Sequence, residues 1–167
     1  MNGFIFSLIA LFVFNGCNIN TNERMDEHYS IAFNYIKGLP ELESKCLYVS
    51  DTIVHLDLTN FWEELSKETE NKEALLFKLD SIDNSRKLDD YYMSSLRNLN
   101  EQSDCNYTLF FSEVYENILL AEVLDNKGNL NANHYQLTAF NNSKIFLFKF
   151  NEKKEIVKVY SKELQYD

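Results

Sequence analysis

An α+β fold, with helices first and an antiparallel β-meander of about five strands after them, is predicted by how apolar periodicity changes along this chain. Tyr29, Ala32, Phe33 and Ile36 recur at helical spacing near the start, whereas from Asn106 onward short β-rich runs alternate with polar turns. Helices segregated ahead of consecutive strands imply that the helices pack on one face of the sheet. The 167 residues, 45% of them hydrophobic and including 13 Phe and 10 Tyr, suffice for one core.

Before the domain stands a different kind of segment. Phe4 to Phe14 (FIFSLIALFVF) is apolar apart from Ser7, far shorter than the roughly 20 residues of a membrane span, and close to the apolar stretch of a signal peptide. Gly16 and Cys17 follow it. Phe14-Asn15-Gly16-Cys17 resembles a bacterial lipobox, in which a signal peptidase cuts before a lipidated cysteine, and its Phe and Asn resemble the relaxed motif of Bacteroidetes lipoproteins. Residues 1–16 are thus expected to be a lipoprotein signal peptide. Residues 17–24, polar and rich in Asn, read as a tether, and 25–167 as one α+β domain. A cysteine carrying several acyl chains anchors stably because each buried CH₂ contributes about 0.8 kcal/mol. The expected location is the cell envelope, at the outer membrane, on its periplasmic side or its surface. A plain secretory signal cut nearby, or an uncleaved buried helix in a cytoplasmic protein, is the other reading.

Within the domain, Asp26 and Glu27 suit the start of the first helix and Lys37-Gly38 its end. Cys46 to Leu58 alternates as one strand or two short ones. Thr59 or Asn60 can cap a short helix bearing Phe61, Trp62 and Leu65. Lys72 to Ile82 fits either period. Leu88, Tyr92, Leu96 and Leu99 predict a helix over Ser85 to Leu99. The strands expected next are Tyr107 to Ser112, Ile118 to Leu124, Tyr135 to Phe140, Ile145 to Phe150 and Ile156 to Tyr160.

With that order in place, the stretches "LYVSDTIV", "LFFSEVYENILLAEV" and "KIFLFKFNEKKEIVKVYSKEL" resemble the small lipoproteins common in Bacteroidetes, in which a Phe-Ser segment precedes a strand and a hairpin ends the chain. Glu155-Ile156-Val157-Lys158 stands where that family usually has a tryptophan strand. The resemblance implies a place and a fold more than an activity. Proteins of that phylum carry O-glycans at Asp-Ser/Thr-apolar triplets, so Thr52 (Asp51-Thr52-Ile53) and Ser81 (Asp80-Ser81-Ile82) are candidate acceptors, or else ordinary unmodified residues.

Charge excludes one class of partner. With 26 acidic and 16 basic side chains the net charge is −10, opposite to the basic stripe that nucleic acid demands. If Cys17 carries lipid, Cys46 and Cys105 are an even pair in an oxidising compartment, able to form a disulfide if their strands are neighbours and two free thiols otherwise. His55 and Asp57 share a strand face, and with Asp51 they are the weak alternative for acid/base or metal chemistry. Ser50, Asp51 and His55 form a trio that a regular strand would splay apart. No metal motif, nucleophile elbow or phosphate loop is present, so no metal or cofactor is expected. The acidic stretch Glu63, Glu64, Glu68, Glu70 and Glu73 could dock a cationic partner or be a solvated face. Phe110, Phe111, Phe146, Phe148 and Phe150 could line a peptide- or glycan-binding stripe or fill the core. The reading is a non-catalytic binding module tethered to the membrane through Cys17, with an unknown protein, peptide or glycan partner. Its alternatives are an immunity-type inhibitor of a basic toxin and a hydrolase or metal-dependent envelope enzyme.

Overall fold

The computed structural model describes residues 26–85, 89–100 and 105–166. The signal segment, the tether and Cys17 lie outside the described residues, as does Leu88. No helix among the described residues is long and apolar enough to cross a membrane.

The first helix, α1 (Glu27–Lys37), begins where Asp26 accepts a hydrogen bond from the His28 amide and places Glu27 and Lys37 at the ends their charges favour. Its apolar face, Tyr29, Ala32, Phe33 and Ile36, is buried against the sheet. The strands are β1 (Leu47–Ile53), β2 (Tyr91–Tyr92), β3 (Tyr107–Phe111), β4 (Ile118–Asp125), β5 (Asn142–Phe150) and β6 (Ile156–Gln165), in the order β2-β1-β3-β4-β5-β6. The α+β class holds. The sheet has six strands and is mixed: β3 to β6 form the antiparallel meander, while β1 joins it parallel to β3 and β2 adds antiparallel to β1.

The helices occupy both faces. Leu119, Ala121 and Val123 of β4 pack with α1, whereas Leu120 and Leu124 pack with the 3-10 helix Leu58–Phe61, α2 (Trp62–Ser66) and α3 (Lys72–Ser85). Six consecutive residues of β4 are consequently buried, the mark of a strand covered on both sides. The one-face arrangement expected from element order fails because the long β1 to β3 connection carries α2 and α3 over the far side.

Lys72 to Ile82 is resolved as helix, with Leu79 and Ile82 buried and Phe77 exposed. Two other segments depart from their periodicity. Residues 91–99 form β2 and the 3-10 helix Ser94–Leu99, not a helix continuous from Ser85. The edge of β1 is the cause: Met93 N donates to Asp51 O at 2.7 Å, and the Asn100 amide bonds both Val49 N (2.6 Å) and Val49 O (2.9 Å), serving β1 as a strand would. Residues 135–140, expected as strand, fall largely in α4 (His134–Thr138). Asn133 and Gln136 cap it reciprocally, so Asn133-His134-Tyr135-Gln136 is a capping box. His134 is therefore helical, and His55 lies just beyond the end of β1.

Cys46 and Cys105 each precede one of the two parallel strands, and the structure joins them in a disulfide with Cα atoms 4.8 Å apart. The bridge closes the crossover of 59 residues at its base. In the chain-entropy model a loop of that length contributes about 4 kcal/mol. Replacing both cysteines by serine should lower the unfolding free energy by about that much in urea titrations, with Leu47 to Val49 losing amide protection first.

Candidate functional site

The pairing of β1 with β3 contains an irregularity that builds a site. Val49 faces Leu109 and Ile53 faces Phe111, so four steps along β1 match two along β3. The extra residues break strand alternation, and Ser50, Asp51 and Thr52 all line one groove of about 270 Å³. The expectation that Ser50 and Asp51 must diverge held only for a regular strand. Half-buried Tyr48 contributes aromatic surface above the buried Phe110, Arg97 stands on one side, and residues 130–133, leading into α4, form the opposite wall.

Arg97 Nε donates to Asp51 Oδ2 at 2.5 Å, and its guanidinium also lies 5.3 Å from the centre of the Tyr92 ring. The hydrogen bond and charge of Asp51 raise the Arg97 pKa. Ser50 is buried and its Oγ accepts from Thr52 N at 3.1 Å, leaving its own proton to donate. Asn133 uses Oδ1 to cap α4, which frees its Nδ2.

Beneath that wall lies a polar centre that the sequence reading missed. Glu122, in the middle of β4, is fully buried. His134 Nε2 donates to Oε2 at 2.6 Å, Tyr166 OH donates to Oε1 at 2.6 Å, and Ser143 Oγ also donates to Oε1. Burial pushes the Glu122 carboxyl up, but the bond from His134 and those from Ser143 and Tyr166 outweigh it and hold the group below its ordinary value. His134 in turn sets its ring edge-on to Phe110, 5.1 Å between centres. The sequence signal was a lone acid in an apolar strand, "ILLAEVLD", where an unpaired charge is costly.

The structure separates the residues proposed for acid/base or metal chemistry. Of Asp51, His55 and Asp57, Asp51 alone lines the groove. Asp57 caps the 3-10 helix through Thr59 N and Thr59 Oγ1, both at 2.7 Å. Burial pushes its carboxyl up, but the Thr59 bonds, with nearby His55 adding to them, outweigh this and hold the group below its ordinary value. No group of three or more His, Cys, Asp or Glu among the described residues could hold a metal ion. Thr52 is half-buried in the groove and Ser81 is exposed on α3. The five sheet phenylalanines are all buried.

Two members of the acidic stretch, Glu64 and Glu68, meet cations within the chain. Glu68 accepts from Lys158 (2.5 Å), Lys149 (2.9 Å) and Tyr160, while Glu64 pairs with Lys162 at 3.3 Å. These contacts fasten α2 and the turn that follows it to the β5–β6 hairpin. Lys158 foremost, with Tyr160 and Lys149, brings the Glu68 pKa down to about 2.

Comparison with protein-family models, with curated proteins and with solved structures finds no match to this chain.

Two outcomes follow from the carboxylates. Glu122→Ala strands three donors at a buried site and should cost about 3 to 5 kcal/mol in denaturant unfolding. Glu68 is depressed, so its contribution is complete above its ordinary value of 4.5 and disappears as pH falls toward about 2. Thermal melts of the parent protein should weaken across that window, and Glu68→Gln should flatten part of the slope, less so in high salt.

Proposed function

We propose that this chain is a membrane-anchored cell-envelope lipoprotein, tethered through Cys17, whose domain is a non-catalytic binding module. The observation that carries the binding reading is the groove made where β1 leaves register, with Ser50, Asp51 and Thr52 brought to one concave surface. Bulged strands recur where a sheet re-aims side chains toward a ligand. The polar side chains of that groove that form bonds do so in ways suited to holding a shape: Asp51 and Arg97 bind each other, and Asn133 caps a helix.

The disulfide supports the compartment. Structural disulfides belong to oxidising locations, and pairing Cys46 with Cys105 leaves Cys17, directly after the apolar run and Gly16, as the remaining cysteine. A tether of eight residues would hold the domain close to the bilayer without inserting it.

A mass spectrum of the mature N-terminus tests the anchor. The expected result is a chain that begins at a Cys17 bearing acyl groups and leaves the membrane fraction when Cys17→Ser is introduced. An unmodified Cys17, or one still joined to Gly16, overturns it.

A further inference from the structure

We infer that the β1 groove takes a neutral saccharide of one or two rings, an inference that rests on the groove being the binding site proposed above. The argument begins with charge. Asp51 and Arg97 are the charged side chains lining it, one of each sign and bonded to one another, so the groove is locally neutral in a chain of net charge −10. A phosphate or carboxylate ligand would have to draw Arg97 from Asp51 and leave that carboxylate, whose side chain is 17% exposed, without its counter-ion.

The hydrogen-bonding inventory then selects among neutral ligands. Asp51 Oδ1 accepts, the outer nitrogens of Arg97 donate, and the hydroxyls of Tyr48, Ser50 and Thr52 and the amide of Asn131 can do either. Such a mixed set suits a molecule whose hydroxyls each offer a donor and an acceptor. Tyr48, which is half-buried, supplies the apolar surface against which the C–H face of a sugar ring can rest, over a floor formed by the buried Phe110.

A peptide fits less well. Peptides most readily join a sheet by adding a strand, and β1 has no open edge at the groove: β3 lies on one side, and β2, Met93 and Asn100 take the backbone groups of the other. The volume, about 270 Å³, lies at the small end of ligand sites and limits the occupant to one or two rings.

The test uses the full-length chain, labelled with ¹⁵N in a detergent free of sugar. Glucose, galactose, mannose and N-acetylglucosamine are titrated into the millimolar range, with inorganic phosphate and a capped neutral dipeptide in parallel. The expected result is that at least one sugar shifts the amide signals of Ser50, Thr52, Arg97 and Asn131. Thr52→Val and Asn131→Ala should each weaken it by about fivefold to tenfold without altering the melting temperature. If the dipeptide or phosphate moves these signals and no sugar does, the saccharide inference falls and the binding module stands. If none of the probes moves them, or a sugar shifts only signals remote from the groove, the saccharide inference falls and the groove loses its standing as the binding site.

Discussion

The hydrogen bonds converging on Glu122 are the constraint around which the far face of the sheet is arranged. A carboxylate with no exposure in the central strand would be strongly disfavoured alone, and it is tolerated because groups from three separate places reach it. Each of those partners is thereby fixed: Ser143 at the start of β5, His134 at the start of α4 and Tyr166 after β6. A hydrophobic residue at position 122 could fill the same space, but it would give α4 no reason to sit over Phe110 in one orientation. Specificity of arrangement, more than net stability, is what such a buried centre supplies.

That arrangement reaches the groove through a single peptide step. His134 follows Asn133, which both caps α4 and lines the groove wall, so the wall is referred to the centre of the sheet through Glu122. The opposite side is referred to the same sheet by different means. Asn100 closes onto Val49, and Met93 onto Asp51, which brings Arg97 beside the strand where β1 is out of register. The site is therefore held from both sides by short hydrogen bonds to strands of the sheet, as preorganised recognition requires.

How much of this was legible in the sequence follows from the range of the forces involved. Helix α1 and the meander were readable because their signals are local: end charges at Asp26 and Lys37, and β-rich runs set between polar turns in β3 to β6. The 91–99 segment was misread because Leu96 and Leu99 carry a helical spacing that means nothing once Asn100 and Met93 bond to a strand some 40 to 50 residues earlier. Residues 135–140 were misread for the opposite reason, since the capping box at Asn133 and Gln136 is local and was outweighed by the β propensity of Tyr135 and Phe140. In the candidate site, Ser50 and Asp51 were visible only as a trio with His55, and Thr52 only as a candidate glycan acceptor, because the convergence of Ser50, Asp51 and Thr52 depends on a register shift that no periodicity encodes. Arg97 was invisible for the same reason as its segment, its role being set wholly by a contact across 46 positions.

The distribution of charge bears on what kind of recognition the domain can perform. An excess of acid keeps like-charged surfaces apart, yet its field decays over about 8 Å at physiological ionic strength, so selection must be made by groups in contact with the ligand. Where acidic side chains could have formed an attractive surface for a cation, Glu64 and Glu68 are turned inward onto Lys162, Lys158 and Lys149 and spend their charge joining α2 and the turn that follows it to the hairpin. The groove follows the same rule on a smaller scale, its one carboxylate facing its one guanidinium. A surface whose charges are neutralised in place while its hydroxyls and amides stay free discriminates by hydrogen-bond geometry. It does so at modest affinity, because each neutral hydrogen bond exchanged with water contributes only about 1 kcal/mol.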